Sequence, residues 1–189
     1  LLATAVGILM GLDRRTERFF ETFVLVGLTL PALAVSIIVL LVVGFTELGG
    51  ILAIVVVVTP PMTENVWEGT KNVDPALSKM ARVFRADRRM WLGDVLLPQL
   101  VPYLLAATRF GLGIGWKIAV IVEWIGLGNG IGGKLRDAFD VFSLAGVMAW
   151  TLSFVLVMFV LEFAVIKRVE RRLTRWQGGE VGRSSARQT

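Results

Sequence analysis

Long apolar runs alternate along this chain with short charged stretches, and that alternation sets the first expectations. Residues 23–46 and 142–161 contain no charged side chain. Each is long enough to cross a hydrocarbon layer of roughly 30 Å, which takes about 20 helical residues, so each is predicted to form one transmembrane helix. Residues 48–63 are also uncharged. They reach spanning length if the helix continues through Asn65 and Trp67, with Glu64 and Glu68 turned towards protein or water. A fourth span is expected over 95–125. Arg109, Lys117 and Glu123 interrupt it, but its apolar density and glycine content suit a helix packed within a bundle. Residues 1–12 are too short to cross and open in mid-pattern without an initiator methionine, so the chain is expected to begin inside a transmembrane helix, with N-terminal helix or helices missing.

Composition agrees: 55% of residues are hydrophobic and the mean hydropathy is +0.71. The expected fold is an all-α, polytopic transmembrane helix bundle over residues 1–176. The last stretch, 177–189, is polar and rich in Gly, Ser and Arg, with too little apolar surface to fold, and is expected to be a disordered tail. The chain has no Cys and no His, which removes disulfides, thiolate metal sites and the commonest general base. No metal site is expected. The remaining carboxylates, such as Glu64, Glu68 and Glu123, have no spacing that supports a recognisable reaction, and no catalytic residue is assigned.

The basic residues orient the bundle. Arg14, Arg15 and Arg18 fall in the first loop, six Lys or Arg residues between Lys71 and Arg89, and seven more from Lys167 to Arg187. Lys134 and Arg136 alone occupy the loop before the last span. Alternate loops are thus basic, and by the positive-inside rule those loops and the C-terminus face the cytoplasm. The same rule accounts for the net charge of +5 without a nucleic-acid partner, and no aromatic-interleaved basic patch points to one.

Residues 70–98 form the most informative segment. Asp74 suits an N-cap and Pro75 the first helical position, so a short helix is predicted to begin there and to carry Leu77, Met80, Ala81 and Phe84 on one face. After Ala86 and Asp87 a second helical stretch over 88–96 is predicted to return to the membrane, where Pro98 and Pro102 bend or restart it. A connection of about 30 residues is long for a plain loop, and the hairpin reads as a docking element.

The intramembrane charges form a second group. On a helical projection Arg109, Gly113, Trp116, Val120 and Glu123 fall within about 40° of one line, with Lys117 about 80° to the side. Arg109 then lies roughly 10 Å and Lys117 roughly 22 Å into the membrane from Pro102. Facing lipid costs either residue about 2.5–3.5 kcal/mol, so both are expected to face protein or water. Arg109, Trp116, Lys117 and Glu123 are the candidate pathway residues, with an internal ion pair as the competing role for Arg109. A cationic pathway residue suits an anionic substrate. Glu64 is expected to pair with a basic residue near the cytoplasmic surface. Gly111, Gly115, Gly126 and Gly130 form two small-x-x-x-small spacings suited to close helix contact or a dimer seam. Gly128, Gly130, Gly133 and Lys134 satisfy phosphate-loop spacings, but Leu135 replaces the Ser or Thr that holds magnesium and no βαβ context exists, so the stretch is read as a flexible turn.

The spacing Lys79-Met80-Ala81, three residues, Arg85, nine residues, then Val95-Leu96-Leu97-Pro98 resembles the EAA loop of ABC importer permeases, E-A-A, three residues, G, nine residues, I-x-L-P. Lys79 stands where that family usually has Glu, and Arg85 where it usually has Gly. Pro61, Asn65, Gly69, Val73 to Pro75, Pro102, Tyr103, Arg109, Glu123 and the run Glu170-Arg171-Arg172 are similar to the nitrate, sulfonate, taurine and bicarbonate branch. The resemblance implies a type I ABC importer permease fold in the bacterial cytoplasmic (inner) membrane. It implies two permease subunits, expected as a homodimer in membrane lipid, with two ABC ATPase subunits and an extracytoplasmic substrate-binding protein. ATP and Mg would be bound by the ATPase partner, with no cofactor in this chain. Asp74, Leu77, Lys79, Met80, Ala81, Arg82, Arg85 and Pro98 would carry ATPase coupling. A secondary transporter or channel, and a non-transporting membrane scaffold subunit, are the competing readings.

Overall fold

A computed structural model describes residues 1–163, with the side chains of Arg82 and Arg88 outside the described set. Glu170, Arg171, Arg172 and the 177–189 tail therefore lie outside the described residues. Among the described residues the regular structure is entirely helical: α1 (Leu2–Leu12), α2 (Arg14–Thr29), α3 (Ala32–Val43), α4 (Glu47–Lys71), α5 (Pro75–Val83), the single turn α6 (Arg88–Met90), α7 (Leu97–Val122), α8 (Gly130–Asp140) and α9 (Leu144–Leu161). Wide π-helical turns over Trp91–Leu96 and Glu123–Leu127 join α6 to α7 and extend α7, making one continuous apolar helix over Trp91–Leu127. With α4 and α9 it gives three helices long and apolar enough to cross a membrane.

The expected single straight helix over 23–46 is corrected. Its apolar run is divided between α2 and α3, which meet at 102°. Pro31 supplies no N–H, and the residue before a proline is driven out of the helical region; Leu30 is extended, with φ −69° and ψ 135°. An uncharged run fixes hydrophobicity but not straightness. The expected spans over 48–67 and 95–125 correspond to α4 and to the helix containing α7, and the last to α9.

Helix α4 is the centre, packed by α1, α2, α3 and α7. Leu40, Ala53, Ile118 and Val122 form the buried core where α3, α4 and α7 meet. Small residues set the approaches. A side chain at Gly7 of α1 would press on the Thr63 carbonyl and Val66 of α4, both 2.8 Å from its Cβ, and one at Gly11 would overlap Thr70. Gly27 of α2 similarly admits Pro60, and Gly69 of α4 receives the ring of Tyr103 from α7. Gly111 of the predicted glycine pairs lies against Met62 and Val58 of α4, whereas Gly126 faces Phe45 and Gly130 lies beyond α7 altogether. Within this chain that second pair therefore does not bring two spanning helices together.

Thr63 donates its hydroxyl to the Thr59 carbonyl at 2.9 Å and Asn65 its amide to the Pro61 carbonyl at 2.8 Å, bonds that keep polar side chains satisfied inside the apolar helix. Large apolar side chains are exposed throughout, and α9 has no buried residue. In water that surface would be untenable; in a bilayer it is the solvated face.

Candidate coupling hairpin and intramembrane charges

The hairpin begins where sequence places it. Asp74 accepts the Ala76 N–H at 2.7 Å through its carboxylate, and its own carbonyl accepts the Ser78 N–H, so α5 is capped by its preceding residue. The helix ends in a Schellman turn: the Ala86 N–H bonds the Ala81 carbonyl at 2.9 Å, and Arg85 adopts φ +50°. That left-handed residue is the position at which the EAA pattern has glycine, which reaches the region without a Cβ penalty.

The expected face of Leu77, Met80, Ala81 and Phe84 is divided. Ala81 is buried and Ser78 half-buried, lining with Leu12, Asp13, Ala86, Trp91 and Leu92 a cleft of about 730 Å3 behind the helix. Leu77, Met80, Val83 and Phe84 are exposed, Phe84 at 76% and Val83 at 80%. Lys79 and Arg85 are exposed beside them. The Arg82 side chain is outside the described residues. Helix α5 thus points an apolar and cationic surface away from its own bundle.

Gln99 ties this hairpin to the membrane and was not picked out from sequence. Its side-chain oxygen accepts the Asp74 N–H at 2.8 Å, and its amide donates to the Val95 carbonyl at 2.9 Å. Pro98 stands beside it in the first turn of α7, directly after the wide turn over Trp91–Leu96. The helix is continuous through both prolines, with Pro98 in the first turn of α7 and Pro102 inside it, so neither restarts the chain as a separate helix. A local pattern could locate Pro98; the bond from Gln99 to Asp74 spans 25 residues and has no local signature.

At the first loop Asp13 caps α2, accepting the N–H groups of Arg15 and Thr16, and those hydrogen bonds hold its carboxyl below the usual range. Glu17 pairs with Lys71 at 2.7 Å, joining α2 to the end of α4, with the Lys71 ammonium 4.8 Å from the Trp67 ring centre. Glu64 shares a small cleft with Trp67, Glu68, Lys71 and Asn72, but the carboxylate that takes Lys71 is that of Glu17.

The four intramembrane candidates separate. Arg109 pairs with Glu162, just past α9. Glu123 accepts the Gly132 N–H at 2.8 Å and so serves the start of α8. Trp116 lines an apolar groove of about 530 Å3 between α1, α4 and α7, together with Ile54, Val58, Met62, Gly111 and Gly115. Lys117 is exposed on α7 and has no ion-pair partner among the described residues.

Several apolar spans, a bent helix pair and a helical hairpin tied to a spanning helix define a multi-pass membrane protein. The chain belongs to the family described as binding-protein-dependent transport system inner membrane component, whose profile matches residues 3–175. It is 30% identical over 181 residues to a putative aliphatic sulfonates transport permease protein of Bacillus subtilis (strain 168), covering 96% of this chain and 65% of that protein. It is 29% identical to the taurine transport system permease protein of Escherichia coli (strain K12), covering 94% and 64%. The nitrate import permease protein of Synechococcus elongatus is 27% identical, with 74% and 52% covered. The chain thus spans a little under two thirds of the length of the first two relatives.

Proposed function

We propose that this chain is the membrane-spanning subunit of an ATP-driven importer and moves a small anionic nutrient, of the nitrate, sulfonate, taurine or bicarbonate type, by alternating access. The observation that carries the reading is the outward surface of α5: Leu77, Met80, Val83 and Phe84 lie exposed on a capped helix whose opposite side packs through Ala81. Exposed apolar residues outside the spanning helices suit a protein partner, and the family resemblance makes that partner an ATPase subunit that binds ATP and Mg. Lys79 and Arg85 favour acidic residues in its groove. The distribution of Lys and Arg supports a cytoplasmic position for this hairpin and the C-terminus. A second permease copy and an extracytoplasmic substrate-binding protein complete the assembly.

Transmission follows from connectivity. Asp74 is bonded to Gln99 at the base of α7, and α7 is continuous with the residues that carry Trp116 and Lys117. A shift of α5 in the partner groove is therefore delivered to the helix that lines the pathway. Nucleotide binding needs only to favour one packing of this lever over another to change which side is open. Lys117 is the pathway cation, because charge at that depth requires water, protein or substrate around it. Arg109 and Glu123, whose charges are engaged by neighbouring groups, shape the bundle instead.

The test is recovery of an ATPase with the full-length, detergent-purified protein. Wild type is expected to bring down a stoichiometric ATPase. Met80→Asp, on the exposed side of α5, is expected to lose it, while Phe142→Asp at the opposite end retains it. Equal recovery with Met80→Asp, or no ATPase with wild type, would overturn the reading in favour of a secondary transporter or scaffold.

A further inference from the structure

The glycine-rich stretch 128–133 resembles a phosphate loop in spacing, yet the structure gives it a different ligand. Gly128 and Gly130 have φ +65° and +71°, so the backbone turns sharply between the wide turn ending α7 and the start of α8. A Cβ at Gly130 would fall on the Glu123 carboxylate, and one at Gly132 would collide with the backbone at Val120 and Trp124. At Gly133 it would strike the Gly128 carbonyl. The three glycines thus let the loop close around a side chain from its own chain. The first N–H groups of a helix lack partners and carry partial positive charge. Asn129, the residue capping α8, makes no side-chain cap bond, and the Gly132 N–H goes to Glu123 instead.

We propose that Glu123 is a built-in anion: its carboxylate caps the start of α8 through the Gly132 N–H and clamps the α8–α9 hairpin to the end of the long spanning helix. Two weaker contacts follow the same seam. Arg136 donates to the Trp124 carbonyl at 3.4 Å, and the Trp124 and Phe139 rings lie 5.4 Å apart. Helix α9 packs on α8, and its far end meets α7 through Arg109 and Glu162. The hairpin is therefore held at both ends by carboxylates, one donated by the spanning helix and one received from beyond α9. Glu123 is a positioning residue that fixes the last helix pair, and the loop has no vacancy for a nucleotide phosphate while that carboxylate occupies it.

Hydrogen–deuterium exchange on the full chain in lipid nanodiscs tests this. Glu123→Ala removes the acceptor, Glu123→Gln keeps an acceptor without charge, and Gly130→Ala displaces the carboxylate while leaving it intact. Hydrogen bonds to a charged group protect strongly enough that residues 128–140 should exchange at least about tenfold faster in Glu123→Ala and Gly130→Ala. Glu123→Gln should fall between them and wild type, and residues 47–71 should be unchanged in all three. Wild-type exchange in Glu123→Ala, or equal acceleration of residues 47–71, would overturn the clamp. Wild-type behaviour of Glu123→Gln beside a fast Glu123→Ala would overturn the requirement for charge.

Discussion

Arg85 holds φ +50° at the end of α5, a conformation that costs an L-residue on the order of 1–2 kcal/mol and glycine far less. The Schellman bond from Ala86 to Ala81 demands that conformation from whichever residue occupies the position. Arg85→Gly is therefore expected to stabilise the hairpin by up to about 1 kcal/mol, visible as slower amide exchange over residues 75–96. Faster exchange would mean that the arginine side chain contributes more than its backbone loses. Single residues were unevenly legible. Asp74 and Pro75 announced a helix start, because capping depends on neighbours in sequence. Glu123 did not announce its role, because the N–H it accepts is nine residues away and depends on the glycine turn between them.

At the scale of elements, the proposed mechanical unit is α5, its tie to Gln99 and the helix through α7. Gln99→Ala removes the acceptor for the Asp74 N–H without touching the outward face of α5. It is expected to leave ATPase recovery intact and to lower the transport accomplished per ATP hydrolysed by severalfold, as loss of one hydrogen bond of about 1 kcal/mol at a lever would. Unchanged coupling would place the transmission elsewhere on the hairpin. The elements also show where periodicity stops being informative. Charge-free length located α9 and most of α4, and apolar density located α7 despite its charges, but over residues 23–46 the uncharged run concealed a 102° bend that Pro31 enforces. Close packing of α1 on α4 rests on Gly7 and Gly11, a small-x-x-x-small pair like Gly111 and Gly115; spacing alone does not say which helix such a pair will meet.

For the whole molecule, assembly and conduction are expected to be separable. Lys117→Met keeps the length and apolar stem of the side chain while removing its charge. It is expected to abolish uptake while leaving the complex and its thermal stability within about 1 kcal/mol of wild type, as for an exposed residue with no ion-pair partner among the described residues. Loss of the assembled complex would make Lys117 a structural residue. The hairpin and membrane character were legible in the sequence because both are written in local composition and spacing. Which intramembrane charges are engaged was not, since Arg109 meets Glu162 only once α7 and α9 are brought together.

The most direct test of ATP-driven transport reconstitutes the full-length complex in proteoliposomes and measures uptake of a labelled sulfonate, taurine or nitrate together with ATP hydrolysis. Wild type should show uptake only with ATP and ATPase present, and Met80→Asp should lose both ATPase association and uptake. Uptake that proceeds without the ATPase, or that is undiminished in Met80→Asp, would contradict the account.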